Sequence, residues 1–346
     1  MIGDVLASSI LFEALKLKYP KSQLYYLINE HTYPVVQNNP FIDHFIFYTS
    51  EIEKSKLKLL EFAKSIKKEK FDTVIDAYSK LSSNLITAIS GSKTKISKYK
   101  HYTSFIYTHT VKYKNEPITK AGLAVENRLM LLEPIDLDLS KNIIKPKIYL
   151  TDTERENAKK TLLQSKIELN RPLFMISVLG SGRNKTYPLE YMAKVIDVIL
   201  KKTNAQILFN YIPKQIEEAK AIYNHCELET QKHIFMDVFV NDLRGFLALA
   251  SYCNALIGNE GGAINMAKAL SIPTFSIFSP WIDRNTWSIF EDDYNVSVHL
   301  KDFKPEIYRN KEEKKLKKDA LSLYNDFKPS YFTSELEQFL DKILKK

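Results

Sequence analysis

The sequence predicts a two-domain α/β protein whose parallel sheets are wound on both faces by helices. Three observations carry this reading. Short apolar runs alternate with longer amphipathic ones, the alternation falls into two sets, and several apolar runs end in loops of glycine and other small residues.

The elements follow in order. The chain opens with "MIGDVLASS", in which Gly3 and Asp4 lead straight into a helix-like run over 5–20, an arrangement that ordinarily follows a strand. Buried parallel strands are expected over 22–29, 71–77, 171–180, 205–211, 254–258 and 273–279. Between them, apolar residues spaced by three and four predict helices over 58–70, 189–203, 213–225 and 242–253. The first set ends near Pro134, and the stretch 139–160 carries the chain into the second, giving domains of 1–150 and 151–330. The last residues, 331–346, hold a closing amphipathic helix begun by Thr333 or Ser334, with Glu335 and Glu337 in its first turn.

Composition removes several classes of function. With 346 residues, 45% hydrophobic and 26% charged, the chain can bury two cores. No run of about eighteen apolar residues occurs, and the start lacks the basic flank and cleavage site of a secretory signal, so the cytoplasm is the expected compartment. Cys226 and Cys253 stand apart and form neither a disulfide framework nor a metal-ligand spacing with histidine. The net charge of +9 favours anionic partners. Part of that excess lies in 310–320, where Glu312 and Glu313 adjoin Lys314 and Lys315 as on a solvated helix face. There is no zinc-finger spacing, RRM-like signature or Gly/Arg-rich tract, which argues against nucleic acid.

In doubly wound sheets, ligands bind beyond the carboxyl ends of the strands, where loops enter helix N-termini. Three loops qualify: "MIGDV", "VLGSGRNKTYPLE" and "IGNEGGAINMAKAL". In the third, Gly261 and Gly262 at a helix start let backbone N–H groups approach a diphosphate, and Glu260 is placed to accept hydrogen bonds from sugar hydroxyls. An ordinary glycine-rich turn with an exposed glutamate would read the same way. The second loop sets small residues, Ser181 among them, before Arg183, Lys185 and Pro188, the last at a helix N1 position. Its cations suit the same phosphates, or plain solvent.

Taken together, "IGDVLASSILFEALKLKYPKSQLYYLINEHTYPVVQNNPFID", "GSGRNKTYPLEYMAKVI" and "IGNEGGAINMAKALSIPTFSIFSP", in this order and spacing, resemble glycosyltransferase family 9 over nearly the whole chain. These are the bacterial lipopolysaccharide heptosyltransferases, which transfer heptose from ADP-heptose. The resemblance implies the glycosyltransferase-B fold, with two Rossmann-like domains facing a cleft and the closing helix crossing back to the first. It also implies a short strand ahead of the Gly-Asp pair, which this sequence does not contain.

The site residues follow from the resemblance. Asp4 matches the base that deprotonates the acceptor hydroxyl in a direct, inverting displacement, though an aspartate there also suits an N-cap for a helix beginning at Val5. Lys185 matches the lysine on the donor phosphates, and the N–H groups of Gly261 and Gly262 would cover the diphosphate. No cofactor and no metal are implied. The family's usual Asp-Thr-Gly followed by histidine is here Glu260-Gly261-Gly262 with Asn265, which leaves another nucleotide sugar open. By position, Asn241 would lie near the base of the nucleotide, and Gln215 or Glu217 near its ribose. The acceptor implied is a lipopolysaccharide core or related glycolipid at the inner leaflet, which would make the enzyme peripheral to the cytoplasmic membrane. The stretch 98–114, rich in lysine, tyrosine and histidine, is either an acceptor-facing segment or an edge strand, and neither His101 nor His109 is assigned a catalytic role. An epimerase of the same fold is disfavoured by the Gly-Asp opening, and a catalytically weak glycolipid or nucleotide-sugar binder remains the alternative from another class.

Overall fold

The computed structural model describes residues 2–136, 144–309 and 311–345. The chain forms two compact units, Met1–Lys147 and Ile148–Lys346, a division three residues before the expected one. Residues 137–143, which include the start of the expected connecting stretch, lie outside the described residues, as does Met1 of the opening loop.

The first unit begins with helix α1 (Ile2–Lys18). Gly3 and Asp4 therefore lie inside its first turn, and Asp4 is not the N-cap of a helix starting at Val5. An acidic side chain one turn inside a helix still complements the positive end of its dipole. Leu6, Ala7, Ile10, Leu11 and Ala14 form the buried stripe of α1. Two parallel sheets accompany it. One pairs β1 (Tyr25–Asn29) with β2 (His44–Tyr48), and the other has the order β3 (Thr73–Asp76), β4 (Thr94–Lys98), β5 (His109–Val111). The sequence reading missed β2 and β4: β4, Thr-Lys-Ile-Ser-Lys, has no continuous apolar run, whereas β2 carries the run Phe45–Tyr48 on a strand that is only partly buried. β5, inside the 98–114 stretch, is the edge strand of its sheet.

The second unit holds one parallel sheet in the order β10 (Asn295–Val298), β9 (Thr274–Ile277), β8 (Ala255–Asn259), β6 (Leu173–Ser177), β7 (Gln206–Asn210). β6, β8 and β9 are buried at every residue; β6 and β8 read as largely apolar runs, while β9, Thr-Phe-Ser-Ile, buries two hydroxyl side chains between its apolar ones. The chain winds outward from β6 to β7, then returns past β6 and winds the other way through β8, β9 and β10. The winding reverses between β6 and β8, and the crevice at their carboxyl ends is the place such sheets reserve for ligands. β10 reads Asn-Val-Ser-Val and was not anticipated because half of it is polar.

The helix Leu189–Thr203 matches the expected span, but Pro188 is its N-cap and not its first helical residue. The closing helix Thr333–Leu344 buries Leu336, Phe339, Leu340 and Ile343. That stripe lies in the second unit's core with Ile196 and Ile199 of the helix Leu189–Thr203, and Lys202 bridges Asp341 at 2.9 Å. The observed seat of this helix is thus on the second unit, where the sequence reading had carried it to the first.

Two buried polar devices hold the second unit's ends. Arg244, in the helix Leu243–Ala250, reaches both oxygens of Glu154 at 2.6 Å and the carbonyl of Tyr149 at 2.7 Å. Glu154 also accepts the Thr151 N–H at 2.7 Å while Thr151 Oγ1 accepts the Glu154 N–H, a capping box that starts the helix Asp152–Gln164. The guanidinium holds the Glu154 carboxyl down to about 2. Beyond β10, His299 Nδ1 accepts the Lys301 N–H at 3.0 Å, and burial pushes its imidazole down to about 4.

Removing Arg244 strands a half-buried carboxylate, so Arg244→Ala should cost about 2–3 kcal/mol in urea unfolding near pH 7. Glu154 is ordinarily protonated near 4.5 and in the fold only near 2, so the wild-type advantage should shrink as pH falls through that window. For His299 the unfolded chain takes up a proton near 6.5 and the folded one only near 4, so stability falls as pH drops between them. Measured against His299→Gln, wild type should lose up to about 3 kcal/mol between pH 7 and 4, and a flat difference would contradict the buried neutral ring.

Candidate active site

The crevice at the β6–β8 reversal is built by loops that leave little freedom. Gly258 has φ +129°, and a Cβ there would stand 2.5 Å from the Ser177 carbonyl oxygen. Only glycine lets β8 end so close to β6. The next residue, Asn259, is buried to 1% exposure; its Nδ2 donates to Ser177 O at 2.9 Å and its Oδ1 accepts the Tyr187 N–H at 2.7 Å. One amide thereby ties together the ends of both central strands and the residue that leads into the helix Leu189–Thr203.

The loop after β6 folds back on itself. A Cβ on Gly180 would lie 2.0 Å from the Lys185 carbonyl oxygen. Thr186 Oγ1 accepts the Gly180 N–H at 3.1 Å and donates to Gly182 O at 2.9 Å, and Lys185 N donates to Gly182 O at 2.9 Å. Gln215, expected near a ribose, instead braces this loop: its Nε2 donates to Gly180 O at 2.8 Å and its Oε1 accepts the Ile212 N–H at 3.2 Å. From β9's side, Ser279 Oγ and Trp281 Nε1 both donate to Asn184 O, at 2.7 and 2.9 Å. Lys185 therefore projects from a braced turn, its Nζ 5.5 Å from the centre of the Trp281 ring. Lys317 reaches the same indole at 4.9 Å. Ser181 is exposed at the loop's tip.

Opposite, β8 runs through Glu260 and Gly261 into the helix Gly262–Ala269. A Cβ on Gly261 or Gly262 would meet nothing within 4 Å among the described residues, so the space beside this helix start is open, and the first-turn N–H groups have no partner within the helix. Asn265 is half-buried one turn on. Glu260 donates its own N–H to Ile277 O at 3.0 Å, while its carboxyl is raised by burial against the pull of Lys185 and Lys268. Lys268 Nζ donates to Ile289 O at 2.7 Å, and burial pushes this ammonium down to about 8. Lys185, Glu260, Gly261, Gly262 and Asn265 thus gather at the two loops flanking the reversal. Asn241 is an exposed bend residue beside Asp242, whose carboxylate caps the helix Leu243–Ala250.

In the first unit, Asp4 Oδ1 accepts from Arg128 Nη2 at 2.7 Å. Arg128 lies in the helix Leu123–Leu129, and its other nitrogens donate to Ser8 Oγ at 2.9 Å and Ala124 O at 2.7 Å. The guanidinium fixes Asp4 against α1. Sequence reasoning missed Arg128, 124 residues from its partner, because no local pattern links them. It also missed the bracing by Asn259, Thr186 and Trp281; for Asn259, a polar residue closing an apolar strand at a glycine was the available signal.

The model of glycosyltransferase family 9 (heptosyltransferase) matches residues 59–317. The chain is 21% identical to lipopolysaccharide heptosyltransferase 1 of Campylobacter coli over 288 residues, covering 80% of this chain and 81% of that one. It superposes on the glycosyl transferase family 9 structure from Veillonella parvula with a TM-score of 0.76 at 17% identity, covering 99% of this chain and 95% of the other. On E. coli ADP-heptose LPS heptosyltransferase II the TM-score is 0.71 at 14% identity, with 99% and 96% covered. These likenesses show the glycosyltransferase-B fold. With a family model spanning well over half of its length, the chain belongs to glycosyltransferase family 9 and is a transferase enzyme.

Proposed function

We propose that this enzyme transfers heptose from ADP-heptose, with inversion and without a metal, to a lipopolysaccharide core or related glycolipid. The observation that carries the donor side is the pairing of a braced lysine with an open helix start across one strand reversal. Lys185 and the N–H groups of Gly261 and Gly262 suit the two phosphates, and Lys317, on the same indole as Lys185, adds a second cation. Glu260 and Asn265 are left for the sugar hydroxyls, and Ser181 for the exposed flank of the diphosphate. The nucleotide follows from the name of the E. coli relative. Gln215 acts on the donor through the Gly180 loop it braces, and Asn241 has no role in this scheme.

In the reaction, the acceptor hydroxyl oxygen attacks the anomeric carbon as the bond from that carbon to the diphosphate oxygen breaks. Asp4 takes the hydroxyl proton, Arg128 keeps its carboxylate oriented, and the negative charge gathering on ADP is met by Lys185, Lys317 and the helix start. The acceptor side falls to the first unit, where Lys98 and Lys100 of the 98–114 stretch supply positive charge for an anionic glycolipid at the inner face of the membrane. No helix among the described residues is long and apolar enough to cross that membrane.

The test is acceptor-dependent ADP release from ADP-heptose with a heptose-deficient core glycolipid. Asp4→Asn should lower turnover by at least about 100-fold with ADP binding intact, and retained turnover would remove Asp4 from the mechanism. Lys185→Ala should weaken ADP binding by about tenfold, the worth of one charge-assisted contact, and an unchanged affinity would move the phosphates elsewhere. ADP bound but no sugar released would point to a different nucleotide sugar.

A further inference from the structure

The loops at the carboxyl ends of β3, β4 and β5 gather lysines and exposed apolar side chains that the donor site does not use. Over 77–115 the sequence holds seven lysines and no aspartate or glutamate, a local charge of +7 in a chain whose net charge is +9. The three strands are parallel, with Asp76 opposite Ser97 and Lys98 opposite Val111, so the loops that leave them emerge along one sheet edge. Tyr78 and Leu81 follow β3, and Tyr99, Tyr102 and Phe105 follow β4. All five are exposed, Leu81 and Phe105 to 85% and 84%.

Buried polar groups fix the base of this edge. Asp76 Oδ1 accepts the Tyr78 and Ser79 N–H groups at 3.1 and 2.7 Å, Tyr107 Oη stands 2.7 Å from both Asp76 Oδ2 and Asn84 Oδ1, and Ser97 Oγ donates to Asp76 O at 2.8 Å. Lys100 Nζ donates to Ser79 O at 2.5 Å, which ties the loop after β4 to the loop after β3. Lys98 Nζ lies 5.7 Å from the centre of the Tyr113 ring and Lys112 Nζ 5.6 Å from that of Tyr99, two contacts that join the ends of β4 and β5. Lys80 Nζ is likewise 5.8 Å from the Tyr78 ring. Leu81 opens the helix Leu81–Ile89, and Phe105 sits in the single turn Ser104–Ile106, which packs on that helix.

An ammonium beside a phenol ring is a combination that settles at the headgroup level of a bilayer, where tyrosine is at home and lysine meets lipid phosphate, while a leucine or phenylalanine tip reaches the acyl boundary. We propose that this sheet edge is a docking face that seats the enzyme on an anionic phospholipid bilayer, with Lys80, Lys112 and Lys114 on the phosphates and Leu81 and Phe105 entering the acyl boundary. The charge of the face is complementary to such a surface, and its exposed apolar tips find a partner there that a nucleic acid would not give them. Docking deepens the acceptor reading above, on which it rests for its purpose: the glycolipid to be glycosylated and the lipid that holds the enzyme beside it are separate partners of the first unit.

Flotation with phospholipid vesicles that hold no acceptor tests this. Wild type should bind vesicles of phosphatidylcholine with about 30 mol% phosphatidylglycerol, bind pure phosphatidylcholine at least about tenfold more weakly, and leave the anionic vesicles as salt is raised. Leu81→Ser with Phe105→Ser, and separately Lys80→Gln with Lys112→Gln and Lys114→Gln, should each weaken anionic-vesicle binding by at least about tenfold, a lysine beside an anionic leaflet being worth about fivefold. An unchanged thermal transition and ADP affinity show that these variants fold. Wild type that ignores anionic vesicles, or variants that bind them as wild type does, would overturn the proposal. Turnover separates the bilayer from the acceptor: the variants should match wild type on glycolipid dispersed in detergent and fall at least about fivefold on glycolipid embedded in anionic vesicles. Equal loss on both would mean that the face recognises the acceptor only and counts against docking. If wild type turns over neither form, the transfer reading fails, while flotation still decides whether the face binds lipid.

Discussion

The second unit depends on the closeness of two strand ends. β6 and β8 are neighbours in space but 81 residues apart at their paired positions Ser177 and Gly258, and everything that the proposed donor site needs is hung from where they finish. A side chain at Gly258 would collide with Ser177, and Asn259 converts the resulting proximity into two hydrogen bonds that also seize Tyr187. Because the winding reverses there, the loops that leave these strands diverge to opposite faces of the sheet and leave a crevice between them. The lysine turn and the open helix start are the two lips of that crevice.

The first unit solves a different problem. Its acidic residue sits in the first turn of α1, where a carboxylate is stabilised by the helix dipole. Arg128 reaches it from a helix much later in the chain, using its remaining nitrogens on Ser8 and on its own helix backbone. Both units thus follow one rule: the reactive or charged group projects from a loop or helix start, and a second element fixes it by hydrogen bonds to rigid backbone.

Much of this was legible in the sequence where burial imposes a pattern. β6 and β8 are enclosed on both faces, so they appear as largely apolar runs, and the helix Leu189–Thr203 shows its span through its spacing. β4 and β10 keep polar residues on a partly exposed face and give no such run. At the site, glycines and cations marked the loops, but not what braces them. Gln215 was assigned to a ligand because a polar residue near a glycine loop looks the same whether it serves backbone or substrate. The partner of Asp4 was invisible for a simpler reason: a salt bridge across 124 positions leaves no trace in local spacing.

That same separation has a consequence for synthesis. A ribosome delivers Asp4 well before Arg128, which follows 124 positions later. In the interval α1 can form locally, but its carboxylate has no guanidinium to orient it, and its buried stripe has no later helix to cover it. No shortened nascent chain possesses the seated acid, so the group proposed to activate the acceptor comes into being only as the last helix of its own unit arrives.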